Sequence, residues 1–520
     1  MVTDGKEQRK EGDRRMKYLV GIDNGGTFSK TALFDEKGKQ LASATVPTQT
    51  LTPKPGYAQR DMNELWKVNA KSIKRAIEES GVDPEKIAGV SFSGHGKGLY
   101  LVGADGKPSY YGIASTDTRA WEYVEKWNKD GTKERVYEKT FQDILSYQPV
   151  SLLSWIRDHE EGVLERTKYI FSVKDYIRFM LTGEARAEYT DFSGGNLINL
   201  KTRKYDKELL ALFGLEEVYE KLPELCHSAD ICGYVTKEAA EQTGLPAGIP
   251  VAAGMFDVNA CGIASGLCSE KELCMIAGTW SINEFIRREP VTNGTVSLNS
   301  MFCIPGYFLV EESSPTSAGN MEWFIQNLMN YEKREAEEKQ GSVYDVTNDW
   351  VASIEPWDCN VIFLPFLNGS NVNPLARGSF VGLTAYHTKK HMLRAVYEGI
   401  VFSHALHVKK LLKSRECPKT IRLSGGAAKS DVWVQMFADV LQIPIDVIED
   451  KELGAQGAAM AAGIAAGIYR DYQDAADRTV TITKTVQPRT EYRKIYQEKY
   501  EAYCKVLEGL DQVWEYFAVK

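Results

Sequence analysis

The chain has 520 residues, of which 43% are hydrophobic and 26% are charged, the composition of an ordinary globular protein rather than of a disordered or fibrous one. Its net charge of −8 disfavours nonspecific binding to nucleic acid. The nine cysteines are scattered and form no C-x-x-C pair, which disfavours a disulfide scaffold and a zinc cage and favours a cytoplasmic location.

The predicted elements of the first part of the chain alternate between strands and helices. Residues 1–15 mix both charge signs with few apolar groups, which predicts a disordered tail rather than a signal peptide. Strands are predicted at 17–22 and 30–34, on either side of a glycine-rich turn. Helical periodicity extends from 61 to 80, and a buried strand is predicted at 87–92. This order predicts an α/β fold.

The second half of the chain repeats the opening pattern. A strand, a turn at Gly278–Thr279 and a return strand occupy residues 273–286, as a strand, a glycine-threonine turn and a strand do near the start. The repeat suggests a duplicated domain, with the boundary near residue 268. We therefore expect an N-terminal domain at 16–268 and a C-terminal domain at 269–520, in line with the two domains that a chain of this length predicts.

Asp257 is the residue most indicative of chemistry. It follows a short apolar strand and Gly254, and it precedes a run of small residues that predicts a helix. Open α/β sheets place their ligands at such strand ends, and the dipole of the following helix favours an ionised carboxylate. A fixed carboxylate that faces a phosphate site is what a kinase needs in order to orient a hydroxyl. We expect Asp257 to be catalytic.

A first glycine-rich turn follows the first strand. Two glycines allow a backbone to approach an anion closely, and successive N–H groups form an anion-binding nest. Asp23 at the strand end is expected to hold Mg²⁺ through water, because Mg²⁺ gives up its hydration shell reluctantly. The residues predicted to contact phosphate oxygens here are Gly25, Gly26, Thr27, Ser29 and Lys30.

Two further glycine turns are predicted to contact a nucleotide. Gly425 and Gly426 end a strand that runs into a helix, which directs backbone amides toward a phosphate. Gly278 and Thr279 form the counterpart turn of the second half. Either turn alone is also compatible with simple packing, whereas the three turns together favour nucleotide binding.

A loop at 93–98 combines glycines with an imidazole and an ammonium group. It is neither a Walker A loop, since residue 91 is serine, nor a dinucleotide fingerprint, since residue 99 is leucine. The donors of His95 and Lys97, with Asp117 as an acceptor, suit a polyhydroxylated substrate.

Three stretches of the chain carry a resemblance to a known family. The longest is 424–439, and the others are 363–383 and 455–459. They resemble blocks of the FGGY family of carbohydrate kinases, and the resemblance extends from about residue 17 to residue 515. It implies an α/β fold with two actin-like (ribonuclease H-like) ATPase domains that flank a cleft and close over Mg-ATP and a sugar.

The resemblance also implies roles for individual residues. Asp257 matches the catalytic base of the family, and Asp23 matches its carboxylate linked to Mg²⁺. His95, Lys97 and Asp117 fall where the family contacts its sugar. The positions that match its ATP contacts are Gly278, Thr279, Gly425, Gly426 and Ala427.

Within the family, the loop at 94–98 and the stretches at 314–320 and 366–371 look most like those of L-xylulose kinases. The Arg-Glu pair of glycerol kinases and the Met-His pair of D-xylulose kinases are missing from this loop. We expect ATP-dependent phosphorylation of a terminal hydroxyl of a pentulose, with L-xylulose first. D-xylulose, erythritol and 3-keto-L-gulonate remain alternatives, as does an actin-like ATPase that is no kinase.

The expected partners are a small sugar, ATP and Mg²⁺, without nucleic acid. The longest run of small apolar residues, 457–468, is too short to cross a bilayer, so no membrane partner is expected. A homodimer is left open by the sequence.

Overall fold

The computed structural model describes residues 16–517 except 297, 371, 374, 450 and 451, so the tail predicted at 1–15 lies outside the described residues. The strands are β1 Tyr18–Asn24, β2 Phe28–Asp35, β3 Gln40–Pro47, β4 Gln59–Arg60, β5 Ile87–Gly94, β6 Tyr100–Gly103, β7 Gly112–Ile113, β8 Thr167–Phe171, β9 Arg186–Glu188, β10 Ile198–Asn199, β11 Lys204–Tyr205, β12 Glu224–Cys226, β13 Ile231–Tyr234, β14 Pro250–Ala252, β15 Met255–Phe256, β16 Cys274–Ala277, β17 Ser281–Arg287, β18 Leu298–Met301, β19 Phe308–Ser314, β20 Ile362–Leu364, β21 Ser379–Val381, β22 Ile421–Ser424, β23 Ile445–Ile448 and β24 Ile482–Val486.

The α-helices alternate with these strands along most of the chain. They are α1 Met62–Ser80, α2 Trp121–Lys129, α3 Thr132–Thr140, α4 Pro149–His159, α5 Val163–Arg166, α6 Val173–Thr182, α7 Tyr189–Ser193, α8 Lys207–Ala211, α9 Lys237–Thr243, α10 Asp257–Ala264, α11 Gly319–Leu328, α12 Asn330–Glu338, α13 Val343–Ala352, α14 Lys389–Leu411, α15 Asp431–Leu441, α16 Leu453–Ala465, α17 Tyr472–Thr479 and α18 Arg493–Gly509.

The chain forms two compact units. Unit 1 takes the described residues of Met1–Cys268, Ile286–Val310 and Lys451–Val480, and unit 2 takes the described residues of the remaining segments. The two later segments of unit 1 therefore pack with the N-terminal part of the chain. The simple division at residue 268 stays a prediction, because a boundary read from sequence does not reveal which later segments return to the first unit.

The sheet of unit 1 runs in the order β13-β14-β5-β1-β2-β3, with β15 paired to β5. β1 is antiparallel to β2 and parallel to β5, and β15 is also parallel to β5. In this register Asn24 lies opposite Gly94, and Gly94 lies opposite Phe256. The carboxyl ends of the three parallel strands therefore meet at one edge of the sheet, where Asp23 and Asp257 are found.

Two helices pack against the strands of this sheet. α1 packs on β2 and β3, and α16 packs on β1 and β5. α1 begins after Asp61, whose carboxylate accepts hydrogen bonds from the backbone N–H groups of Asn63 and Glu64, and it ends at Gly81 with φ 64°. The predicted helix at 61–80 is thereby confirmed. α16 is rich in alanine and glycine, which lets its backbone approach the sheet closely.

Unit 2 contains the repeated strand-turn-strand pattern. β16 pairs antiparallel with β17, so that Ala277 lies opposite Ser281, and the two strands enclose the Gly278–Thr279 turn. β16 is also parallel to β22, and β22 is parallel to β23. The predicted repeat of the opening hairpin is confirmed, and so is the α/β fold. Among the described residues no helix is both long and apolar enough to cross a membrane.

Gly21 tests the close packing of β1 against α16. A Cβ at this position would lie 1.8 Å from the carbonyl oxygen of Ala455, which is backbone and has no room to move. We predict that Gly21→Ala lowers the stability of the protein by about 1–3 kcal/mol or more, as overpacking does in close-packed interiors. The measurement is the midpoint of thermal unfolding.

Gly194→Ala is the matched control in unit 1, because its added Cβ would meet nothing nearer than 3.5 Å. A Gly21→Ala protein that unfolds at the same temperature as the control would contradict the close contact between β1 and α16.

Candidate active site

Asp23 lies near the carboxyl end of β1, where three neighbours fix it. The hydroxyl of Ser93 on the adjacent strand β5 donates to its Oδ1 at 2.9 Å. A Cβ on Gly454, near the start of α16, would lie 2.7 Å from the Asp23 carboxylate, so only glycine leaves room for this side chain. Lys30 on β2 pairs with Glu452 at 3.0 Å. Loss of hydration raises the pKa of Asp23, and Ser93 and Lys30 oppose that rise.

Asp257 is the first residue of α10 and follows β15 directly. The bend before it depends on Gly254, which has φ +83° and whose added Cβ would lie 2.3 Å from the carbonyl oxygen of Phe92. The backbone N–H of Phe256 donates to Thr190 Oγ1 at 2.9 Å, and that hydroxyl donates to Glu188 at 2.6 Å. These bonds fix the backbone from which the Asp257 carboxylate projects.

The electrostatics of Asp257 differ from the sequence expectation. We expected the helix dipole to dominate and favour the ionised form, but loss of hydration raises the pKa of Asp257 well above its ordinary value. The carboxylates of Asp23 and Asp191 raise it further, while the Val258 N–H and Lys97 oppose the rise. The structure thus brings Asp257 and Asp23 into one electrostatic neighbourhood, and a cation bound there would be strongly stabilised.

The loop after β5 brings His95 and Lys97 to the same edge of the sheet. The His95 ring is buried, its Nε2 lies 3.1 Å from the Tyr100 hydroxyl, and burial lowers the pKa of His95 to about 3, so the ring is neutral near pH 7. Lys97 has φ 67°, and its backbone N–H donates to Asp191 Oδ1 at 2.9 Å. Its ammonium group lies 5.0 Å from the centre of the Phe256 ring, beside Asp257.

Asp117 occupies a different setting from the one predicted. Its carboxylate is fully buried, pairs with the Arg119 guanidinium at 2.8 Å, and accepts a hydrogen bond from the backbone N–H of Ala58 at 2.6 Å. Protein donors thus take both oxygens, and a direct contact with a substrate hydroxyl would have to displace one of them. The geometry supports a bracing role, and the contact of Asp117 with a sugar stays a prediction.

The turn between β1 and β2 is partly open to solvent. Gly26 and Thr27 are exposed, and the backbone N–H of Gly25 donates to the Phe28 carbonyl at 3.0 Å. Ser29 is buried, and its hydroxyl donates to Asn69 on α1 at 2.9 Å. Since alternate residues of a strand point to opposite faces, Ser29 faces the helix rather than the turn. Its predicted phosphate contact has no support in this geometry.

The two nucleotide turns predicted in the second half are neighbours within unit 2. Gly425 has φ +89°, and a Cβ there would lie 2.8 Å from the carbonyl group of Ala277 and 3.0 Å from the backbone nitrogen of Gly278. Thr279 and Gly426 are exposed, whereas Ala427 is buried. These residues stay predicted ATP contacts, and the parallel pairing of β16 with β22 explains why the two turns meet.

Several groups at the edge of the unit 1 sheet were missed from the sequence. Asp191 is buried on the short helix α7, near Lys97 and Asp257, and burial raises its pKa to about 6. The amide of Asn24 is buried without a hydrogen-bond partner among the described residues. Arg60 is buried beside the Gly25–Gly26 turn. The signal available for Asn24 was its position beside Asp23, and the signal available for Asp191 was the Gly194–Gly195 pair that follows it, shortly after strand β9.

The carboxylates of Asp23 and Asp257 fit a bound magnesium ion. Each carboxylate has lost hydration on burial, and carboxylate oxygens are the hard ligands that Mg²⁺ prefers. Mg²⁺ is commonly held by one or two carboxylates together with waters and phosphate oxygens. The absence of a cluster of three or more ligating side chains within the described part of the chain is therefore compatible with such a site.

The fold and the site together define a class of protein. Glycine turns at strand ends in both units, with a pair of carboxylates at one of them, are the arrangement of an ATP-dependent enzyme that phosphorylates a hydroxyl. Residues 18–264 match the N-terminal domain of the FGGY family of carbohydrate kinases, and residues 273–466 match its C-terminal domain. The chain belongs to this family and is a carbohydrate kinase with ATP as its phosphate donor.

Known proteins similar to the chain agree with this membership. It is 38% identical over 498 residues to a probable L-xylulose kinase of Pasteurella multocida, covering 95% of this chain and 99% of that protein. It is 36% identical to the L-xylulose/3-keto-L-gulonate kinase of Escherichia coli, covering 95% and 97%. The structure of a ligand-bound xylulose kinase from Lactobacillus acidophilus is similar, with a TM-score of 0.87 and 25% identity over 96% of this chain and 100% of that one.

Gly454 tests how Asp23 is positioned. A side chain at this position displaces the Asp23 carboxylate, while alanine is itself favourable in a helix. We predict that Gly454→Ala lowers kcat by about 10²-fold, the cost of a small misplacement of a catalytic group, with little loss of stability. Gly509→Ala, a helical glycine with open space around it, is the control. Normal turnover by Gly454→Ala would show that Asp23 does not need its present position.

Gly425 tests the turn that is predicted to contact ATP. Alanine at φ +89° is strained, and its Cβ would push on the backbone of Ala277 and Gly278. A strain of about 1–3 kcal/mol at this turn corresponds to a rise of about tenfold or more in the KM for ATP. The KM for the sugar is the internal reference and should stay within twofold. Equal changes in both KM values would argue against a specific role in ATP binding.

Proposed function

We propose that this carbohydrate kinase transfers the γ-phosphoryl group of ATP to a terminal hydroxyl of L-xylulose. The observation that carries this proposal is the Asp257 carboxylate, fixed at the start of α10 in the neighbourhood of Asp23. Two relatives named for L-xylulose, at 36% and 38% identity over nearly their whole length, support the choice of sugar. The missing Met-His and Arg-Glu pairs in the 94–98 loop disfavour D-xylulose and glycerol.

In this proposal Asp257 orients the acceptor hydroxyl and takes its proton. Phosphoryl transfer passes through a loose transition state, so positioning and electrostatics do most of the work. A carboxylate whose pKa is raised by loss of hydration is a stronger base than one in water, and the nearby Lys97 helps to keep it charged. The neutral His95 ring would donate or accept a hydrogen bond at the sugar hydroxyls, and the Lys97 ammonium group would donate one.

Asp23 is the residue proposed to hold Mg²⁺, through water, with Asp257 nearby. A bound Mg²⁺ supplies neutralisation of the charge on the β- and γ-phosphate oxygens. Ser93 keeps the Asp23 carboxylate oriented, and Gly454 leaves the space for it. Thr27 and Thr279, both exposed at their turns, are proposed contacts to the phosphates.

Other keto-sugars and sugar acids remain candidates. One relative is named for 3-keto-L-gulonate as well as L-xylulose, and Lys97 would suit the carboxylate of such an acid. A similar solved structure is a gluconate kinase from Lactobacillus acidophilus, with a TM-score of 0.86 and 25% identity over 97% of this chain and 100% of that one. A cytoplasmic location belongs to the proposal as well, on the cysteine pattern and the family alone.

The substrate is tested by a coupled ADP-release assay with ATP and Mg²⁺. L-xylulose, D-xylulose, L-ribulose, erythritol and 3-keto-L-gulonate are compared at equal concentration. We expect the highest kcat/KM with L-xylulose. The highest value with D-xylulose would overturn the choice of sugar, and ADP release that no sugar or polyol stimulates would favour an ATPase that is no kinase.

Asp257→Asn tests the base directly. The variant keeps the shape of the side chain and removes its ability to accept the proton. We predict a fall in kcat with L-xylulose of about 10²–10⁴-fold, the usual contribution of a positioned base. Asp345→Asn, an exposed aspartate in the first turn of α13, is the matched control and should keep wild-type kcat. Wild-type turnover by Asp257→Asn would remove Asp257 from the reaction.

A further inference from the structure

Arg60 has a position that neither the predicted nor the proposed site uses. It ends the short strand β4, only 1% of its surface is exposed, and it precedes the first residues of α1. Its Nη2 donates to the carbonyl oxygen of Gly26 and lies 3.5 Å from that of Gly25. The guanidinium group therefore touches the inner side of the turn that is predicted to contact phosphate.

The other side of Arg60 faces the loop that is proposed to bind the sugar. The guanidinium group interacts directly with the Tyr100 hydroxyl, and the His95 ring lies within its electrostatic reach. These two side chains contact each other at 3.1 Å. Arg60 thus lies between the Gly25–Gly26 turn and the His95 loop, within unit 1.

The charge of Arg60 is left without a counter-ion. Among the described residues it forms no ion pair; the Tyr100 hydroxyl is a neutral neighbour, and neither Nε nor Nη1 meets an acceptor in hydrogen-bonding geometry. The amide of Asn24, next to the same turn, is buried and unpartnered as well. A buried guanidinium group is seldom left unpaired, because burying an uncompensated charge costs several kcal/mol. Free donors of this kind point to an anion that binds from outside the protein.

We propose that Arg60 binds an oxyanion of the reacting molecules, and this inference rests on the proposed kinase function. Arginine suits carboxylate and phosphate oxygens better than a neutral hydroxyl, because the interaction is charge-assisted. Two groups on the reacting molecules could provide this oxyanion. One is the carboxylate of a keto-sugar acid, and the other is the phosphate ester that the transfer creates on the sugar. Arg60 would be a specificity residue in the first case and a product- and transition-state-binding residue in the second.

The test compares Arg60→Gln and Arg60→Lys with wild type in the full chain. The quantities are kcat/KM for L-xylulose and for 3-keto-L-gulonate, and inhibition by the purified L-xylulose phosphate product. Arg75→Gln, an exposed arginine of α1, is the matched control. If Arg60 binds a carboxylate, Arg60→Gln lowers kcat/KM for the acid about tenfold more than for L-xylulose. If it binds the ester, both values fall equally and inhibition by the product weakens about tenfold, while Arg60→Lys retains part of each effect.

Two results would overturn the inference. The first is that both variants stay within twofold of wild type in every quantity. The second is an equal loss with both sugars and unchanged inhibition by the product, which would indicate a structural role at the Gly25–Gly26 turn. If Arg60→Gln does not fold, the same kinetic quantities are measured for Arg60→Lys and interpreted by the same criteria. A wild-type enzyme inactive on both sugars would overturn the proposed function first and this inference with it.

Discussion

The site depends on how three parallel strands end at one edge of a sheet. β1, β5 and β15 are aligned so that Asp23, the 94–98 loop and Asp257 follow one another across that edge. The alignment needs α16 to lie directly against the sheet, and the glycine at position 454 leaves only the space that the Asp23 carboxylate fills. A close backbone packing, rather than a network of long side chains, therefore fixes the carboxylate that is proposed to hold the metal.

Charge distribution is the second feature that organises the site. Asp23, Asp191 and Asp257 lose hydration at the same edge, and each carboxyl group has a raised pKa. Lys97 lies near Asp257 and Asp191, and Arg60, which has no ion pair to a described residue, lies at the Gly25–Gly26 turn. Fixed charges in a poorly hydrated site interact strongly and need no reorganisation when a phosphoryl group passes, which is how such sites lower a reaction barrier. The poorly hydrated carboxylates of this site suit a cation, and the arginine that pairs with no described carboxylate suits an anion.

The fold could be predicted largely from local patterns. Strand-turn-strand repeats with glycines identified β1, β2, β16 and β17, and strand-end patterns led to Asp23, near the carboxyl end of β1, and to Asp257, directly after β15. The orientation of side chains was harder to predict where a partner distant in sequence decides. The Ser29 hydroxyl is turned toward Asn69, and Asp117 accepts from the Ala58 amide as well as from the nearby Arg119. The contacts with Asn69 and Ala58 could not be recognised from spacing alone.

The residues that were missed have a common cause. Asp191 and Arg60 lie in short elements, and only the folded chain brings them near Asp257 and the Gly25–Gly26 turn. The return of the segments Ile286–Val310 and Lys451–Val480 to unit 1 was not predicted for the same reason, since long-range packing leaves little trace in local sequence. Sequence patterns therefore identified the strand ends of the site but not the side chains that long-range packing brings to it.

The most direct measurement is a crystal structure of the chain with L-xylulose and a non-hydrolysable ATP analogue. The proposed mechanism predicts a terminal sugar hydroxyl within about 2.6–3.2 Å of the Asp257 carboxylate, the range in which a base accepts a proton. A sugar bound away from the edge formed by β1, β5 and β15, with the Asp257 carboxylate contacting protein groups alone, would contradict it.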